Sequence, residues 1–409
     1  MAAEKIKKPR FPRASASQFT PEAHTGVRFL PPRNLPVIIT RPPDLAALVA
    51  RLNQAPTVAV DIEADSFHSY FEKTCLIQFS VPGLDAIVDP LALHDLSPLS
   101  TVFADPAVEN VFHAAEYDII CLKRDYGFQC APIFDTMVAA KVLGWPRVGL
   151  ASLLAERFGV QVDKRLQRAD WSRRPLSPEQ IAYAAQDTHY LLALRDILHQ
   201  ELIARGRLAA AQEEFARLTS AEWNKRPFTP ENYRRIGGAQ ELDSVGRGVL
   251  RELYVYRDEQ ARALDRPPFR VLGERLLLTL SRARPQDEAA LERVPGMTPY
   301  LLGRHRRGIL AAIARGQQQP QPWRAPQGRQ QRLNDEERER LARLREWRQA
   351  TAAAHGVQPE VIVPRQALFA LARQAPQSLA DLVGITDLGP WRAQEYGAAI
   401  LAALWDREP

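Results

Sequence analysis

From Leu253 onward the chain repeats itself. At a constant offset of 91 residues, Leu253, Tyr256, Arg257, Pro268, Val271, Leu277, Leu280, Pro285 and Gln286 meet Leu344, Trp347, Arg348, Pro359, Ile362, Leu368, Leu371, Pro376 and Gln377. After a small deletion, Val294-Pro295-Gly296-Met297 meets Leu382-Val383-Gly384-Ile385, and Ile309-Leu310 meets Ile400-Leu401. Nine like-for-like matches at one offset are hard to attribute to chance, so this half of the chain is expected to build one unit twice. Strand signals vanish beyond residue 240, which makes the unit helical. The expectation is a helical domain at 240–315, a second at 333–405, and between them a Gln/Pro-rich linker at 316–332.

The preceding part is different in kind. Thr57–Ile62, Cys75–Ser80, Ala86–Val88 and Asn110–Phe112 are β-rich runs. The first three lie too close together for helical crossovers and predict an antiparallel meander. Segments starting near Glu116, Asp135, Leu150 and Ser177 read as helices, with Ser177 as a cap and Pro178 in the first turn. Residues 34–220 therefore form a mixed α/β domain. Residues 1–33 are basic, contain Pro and show no hydrophobic period, so disorder is expected there.

A chain of 409 residues with 45% hydrophobic and 25% charged residues is a globular protein of several domains. It has no run of about 18 apolar residues to span a membrane. Its first residues carry Lys5, Lys7, Lys8, Arg10 and Arg13 where a signal peptide would be apolar. Cys75, Cys121 and Cys130 form no CxxC pair, which suits the cytoplasm and excludes a four-cysteine zinc site. The net charge of +6 is unevenly spread: residues 225–332 hold 21 Lys/Arg against 11 Asp/Glu. Nearly all of that excess is arginine, which suits an anionic polymer; a solvated helical surface would give the same count.

Three short patterns carry chemistry. In Val60-Asp61-Ile62-Glu63, strand alternation brings Asp61 and Glu63 out on one face, where two carboxylates repel unless a cation lies between them. In Phe112-His113-Ala114-Ala115-Glu116-Tyr117-Asp118, Asp118 falls in the first turns of a helix, a place that also stabilises any carboxylate. In Tyr183-Ala184-Ala185-Gln186-Asp187, a spacing of four puts phenol and carboxylate on one helix face. Each has a bland reading as a strand end, a helix start or a half-buried tyrosine. Together they supply hard oxygen ligands for two divalent ions acting on a phosphodiester.

These patterns resemble ribonuclease D, of the DEDD superfamily of 3′–5′ exonucleases. TVAVDIEADSFHSYFEKTCLIQFS (57–80), VFHAAEYD (111–118) and DWSRRPLSPEQIAYAAQDTHYL (170–191) look like its three motifs, and the first is also similar to the nuclear-exosome relative. The tandem repeat resembles HRDC domains, auxiliary nucleic-acid-binding modules. The resemblance implies a ribonuclease H-like α/β exonuclease domain followed by two small all-α HRDC-type domains. It implies that Asp61 bridges two metals, Mg2+ or Mn2+. Glu63 and Asp187 would complete the site that activates water, Glu63 would touch the terminal 3′-hydroxyl, and Asp118 would hold the second ion. Tyr183 would orient the attacking water, since Ala182 stands where a sister branch has histidine.

Other residues are candidates for substrate. His68, Tyr70 and Phe71 follow the first motif and could stack on bases or simply pack the loop. Trp171, Arg173 and Arg174 could grip phosphate or cap the next helix, and Arg304, Arg306 and Arg307 crowd one basic segment. His113 is expected to pack, and Asp135 to cap a helix. The expected partner is RNA with a free 3′ end, tRNA precursors being what the resemblance implies. The same chemistry on DNA and a non-catalytic RNA-binding scaffold stay open.

Overall fold

The computed structural model describes residues 35–223, 227–325 and 333–406. The expected disordered segment, 1–33, and the end of the linker, 326–332, lie outside the described residues.

Six strands form one sheet in the order β1-β4-β3-β2-β5-β6: β1 Val37–Ile39, β2 Thr57–Ala64, β3 Thr74–Val81, β4 Leu84–Val88, β5 Glu109–Phe112 and β6 Ile133–Asp135. β2, β3 and β4 make the antiparallel meander. β1 runs parallel to β4, and β5 and β6 run parallel to β2. The short strands β1 and β6 escaped the sequence reading, because three residues are too few for alternation to register. Every residue of β3 is buried, since it lies inside the sheet with helices over it.

The helices of this domain include α1 Pro42–Leu52, α2 Glu116–Tyr126, α3 Thr136–Val142, α4 Leu150–Phe158, α5 Pro178–His189, α6 Leu191–Ala204 and α7 Leu208–Thr219. α5 starts as its sequence demands. The Ser177 hydroxyl accepts from Gln180 N–H, the Gln180 side chain accepts from Ser177 N–H, and Pro178 needs no partner for a missing N–H. α5 lies across the meander: Tyr183 and Ala184 share a small core with Cys75, Leu76, Ile87 and Trp171. The Ser80 hydroxyl donates to Thr188 at 2.8 Å, which fixes which face of β3 meets α5.

The repeat is visible in three dimensions. α8 Ser244–Ala263, α9 Glu274–Ala283 and α10 Pro299–Gln317 correspond to α11 Asp335–His355, α12 Arg365–Gln374 and α13 Pro390–Trp405. The matched apolar pairs Leu253/Leu344, Leu277/Leu368, Leu280/Leu371 and Ile309/Ile400 are all buried, in two separate cores. The matched arginines are structural as well. Arg257 donates to Leu272 O at 3.4 Å and Arg348 to Val363 O at 3.1 Å, the same bond made twice. The segment read as linker from residue 316 begins inside α10, and Gln321 N–H donates to Ser244 O at 2.8 Å. Its first part is thus fastened to the first repeat.

The second repeat docks on the sheet domain through charge. Arg392, 1% exposed, pairs with Glu213 and Glu214 of α7, each at 2.7 Å. Gly389, with φ +80°, approaches so closely that any Cβ there would strike the Glu213 carboxylate. A cavity of about 30 Å³ remains beside this contact, between Arg207 and Tyr396.

Candidate active site

β2 and α5 bring three carboxylates together. Asp61 and Glu63 leave β2 on the face beneath α5, Asp187 comes down from α5, and ligand oxygens of all three lie within 4.8 Å of one another. That is the spacing of oxygens about 2.1–2.4 Å from one shared ion, and an all-oxygen set suits a hard divalent cation. Asp118, at the third position of α2, stands outside this triplet and is 7% exposed.

The site carries more negative charge than its surroundings tolerate. Burial pushes the Asp61 carboxyl up to about 7, with the Ile62 N–H as its one opposing hydrogen bond. Glu63 is raised well above its ordinary range by burial and then by Asp61, Asp187 and Asp118. Asp118 is raised by burial, then by Asp61, Asp135 and Asp187. Asp187 is raised by burial and Asp61, against a hydrogen bond from Tyr183. A cation among them would remove the repulsion. The Tyr183 phenol is raised by burial and by Asp187, Glu63 and Asp61, so it stays a donor.

Asp135 caps α3 as expected, accepting from Met137 and Val138 N–H at 2.8 and 3.0 Å. It also reaches sideways to Ala114 and Ala115 N–H at 3.2 and 2.8 Å, which anchors the turn that launches α2 and Asp118. Ala114 has φ +65°, and these bonds hold it there. His113 packs: burial lowers it to about 4, and its Nδ1 meets the Thr136 hydroxyl at 2.9 Å.

Several substrate candidates are committed elsewhere. Trp171 is 1% exposed and lies beside Tyr183, so it packs. Arg174 forks onto Asp89 at 2.6 and 2.7 Å and donates to Cys75 O and Trp171 O, leaving no free edge for phosphate. The Tyr70 hydroxyl donates to Asp258 at 2.9 Å, while Arg262 covers its ring at 5.5 Å, so Tyr70 joins the sheet domain to the first repeat. Beside it, Asp265 accepts from the Tyr70 and Phe71 N–H groups. His68 Nε2 meets Arg168 O at 3.0 Å. Phe71 and Arg173 stay exposed, the latter holding Asp170. Phe67, outside the sequence reading, is 45% exposed with the Arg168 guanidinium 5.6 Å from its ring. An aromatic next to the DxE strand was the available signal. Arg306 pairs with Glu288 at 3.1 Å, whereas Arg304 and Arg307 are exposed with no ion pair among the described residues.

A family profile described as 3′–5′ exonuclease matches residues 36–203, and one described as HRDC domain matches 247–313 and again 337–404. Ribonuclease D of Granulibacter bethesdensis is 33% identical over 375 residues, which span 90% of this chain and 92% of that one. The chain belongs to the ribonuclease D family. The exosome complex component 10 homolog of Caenorhabditis elegans is 36% identical over 273 residues, but the match spans 31% of that longer protein. The structure of Escherichia coli RNase D superposes with a TM-score of 0.64 at 26% identity, over 91% of this chain and all of that one. The chain is thus a 3′–5′ exoribonuclease with a mixed-sheet catalytic domain and two HRDC domains. Among the described residues no helix is long and apolar enough to cross a membrane.

Proposed function

We propose that the chain removes nucleotides one at a time from a free 3′ end of RNA, releasing nucleoside 5′-monophosphates, with tRNA precursors as one substrate. The observation that carries this reading is the convergence of Asp61, Glu63 and Asp187 within 4.8 Å, with buried Asp118 close enough to feel their charge. Asp61, Glu63 and Asp187 would hold one divalent ion, and Asp118 would help Asp61 to hold a second. Two Mg2+ or Mn2+ ions held there would supply an activated water and neutralise charge on the leaving oxygen. The Tyr183 hydroxyl, one turn before Asp187 on α5, orients that water, and Glu63 meets the terminal 3′-hydroxyl.

The open face of α10, with Tyr300 60% exposed and Arg304 and Arg307 unpaired among the described residues, suits the upstream phosphates. At the repeat offset its counterparts are Trp391, Glu395 and Ala398, on the helix that docks against the sheet domain. The second repeat has spent this face on the protein itself.

Digestion of 5′-labelled single-stranded RNA tests the reading. A ladder shortening from the 3′ end is expected, abolished by EDTA and restored by Mg2+ or Mn2+. Internal cleavage of a circular RNA would refute it.

A further inference from the structure

Gln78 lies in the middle of β3 with 0% exposure, and neither its amide nitrogen nor its amide oxygen has a hydrogen-bond partner among the described residues. A carboxamide can make up to four hydrogen bonds. Burying one with none costs on the order of 1–3 kcal/mol, a penalty that leucine or methionine of similar volume would not carry. Gln78 is therefore a poor choice for packing alone.

Its position supplies a reason. Gln78 is directly opposite Asp61 across β2 and β3, and opposite Ile87 across β3 and β4. Side chains on one rung share a face, with Cβ atoms about 4.5–5.5 Å apart. That face is the one α5 covers, as the Ser80–Thr188 bond two residues along β3 shows. On one rung, then, lie a carboxylate crowded by the carboxylates of Glu63 and Asp187 and an amide whose own N–H groups are unused. Each lacks what the other offers.

We propose that Gln78 is a positioning residue for the catalytic carboxylates. Its amide N–H reaches the Asp61 carboxylate across one water, and so sets which carboxylate oxygens face the bound cation. This rests on the assignment of Asp61 to the cation site made above. Gln78 touches neither substrate nor reacting atoms. Its contribution is the orientation of Asp61, and partners of this kind typically change metal affinity or activity by about 10–100-fold.

The test compares Q78M with the wild-type chain and with D61N. Calorimetric titration with Mn2+ in the absence of RNA reads the cation site without reference to turnover. Q78M is expected to melt at or above the wild-type temperature in EDTA, to bind Mn2+ about tenfold more weakly, and to lose about 10–100-fold in kcat. KM for a short oligomer should stay unchanged. Mn2+ affinity and kcat within twofold of wild type would overturn the proposal. If D61N itself binds Mn2+ and degrades RNA normally, the carboxylate reading falls, and that failure is distinct from an inert Q78M beside a dead D61N. Should Q78M fail to fold, wild-type chain labelled with 15N-glutamine decides the matter. A buried side-chain amide resonance that shifts and gains exchange protection on Mg2+ addition supports the role, and one that does not move overturns it.

Discussion

Replacing Asp61 with asparagine should stabilise the metal-free protein while destroying its activity. The asparagine keeps the shape of the side chain and removes one of three charges whose oxygens lie within 4.8 Å. At an effective dielectric of about 20, a pair of charges at that distance repels by roughly 3.5 kcal/mol, and Asp61 takes part in two such pairs. Water reaches this site, because Asp61 and Glu63 are only half-buried, so the net relief is smaller. Burial adds a penalty of its own: raising Asp61 from 3.8 to about 7 disfavours its charged form by about 4 kcal/mol. A relief of about 2–4 kcal/mol corresponds to a rise in Tm of roughly 5–10 °C for a domain of this size. The sign follows from linkage. The folded state holds Asp61 with a raised pKa, so this wild-type stability is lost progressively as pH climbs from about 4 to about 7 and is fully recovered only when pH falls below about 4. Differential scanning calorimetry in EDTA at pH 5 and pH 8 is the assay. The D61N advantage should be full at pH 8 and fall to roughly two-fifths of that at pH 5, vanishing only near pH 4. Saturating Mg2+ should reverse it, since a site filled to 100 times its Kd adds about 2.7 kcal/mol to the wild type. A D61N protein that melts at or below wild type in EDTA at pH 8, or whose advantage ignores pH, would refute the electrostatic reasoning.

Other expectations are simpler to state. Y183F should slow kcat by about 10²-fold with Mn2+ affinity near normal, because the phenol orients water and binds no cation; a parallel collapse of affinity in titration would make Tyr183 a ligand. The double variant R304E/R307E should weaken binding of long RNA and reduce the slope of log affinity against log salt by about 0.7 per lost contact, with short oligomers degraded normally. R306E should do much less, since Arg306 already faces Glu288. Equal salt slopes in filter-binding assays for all three proteins would remove α10 from the RNA path.

What the sequence disclosed follows the strength of its periodicities. The DxE strand, the Ser177 cap and the duplicated helices each combine a regular period with a boundary residue, so their places in the structure were legible in advance. Strands β1 and β6 were not, because pairing with a neighbour and not their own pattern makes them strands. The carboxylates announce themselves because charge at the end of an apolar strand needs an explanation. Arg174 and Trp171 stayed open between RNA and packing for the opposite reason: their residue types suit both, and only the tertiary neighbours Asp89 and Tyr183 show how they are engaged. Arg257 shows the same limit, since in a count of positive charge it is indistinguishable from Arg304. Gln78 was invisible, because a glutamine in a strand says nothing until its rung-mate is known.

The docking of the second repeat has a polymer-physics consequence. Arg392 between Glu213 and Glu214 makes that domain a ligand tethered to its own receptor, with the chain between Gln321 and Asp335 as the leash. A short leash presents a partner at an effective concentration on the order of millimolar, so even a weak intrinsic affinity keeps the contact closed. The catalytic domain and its two appendages therefore close into a ring of covalent and non-covalent links. Cutting the leash would not at once release the second repeat, but would convert a concentration-independent contact into one that dilution can break.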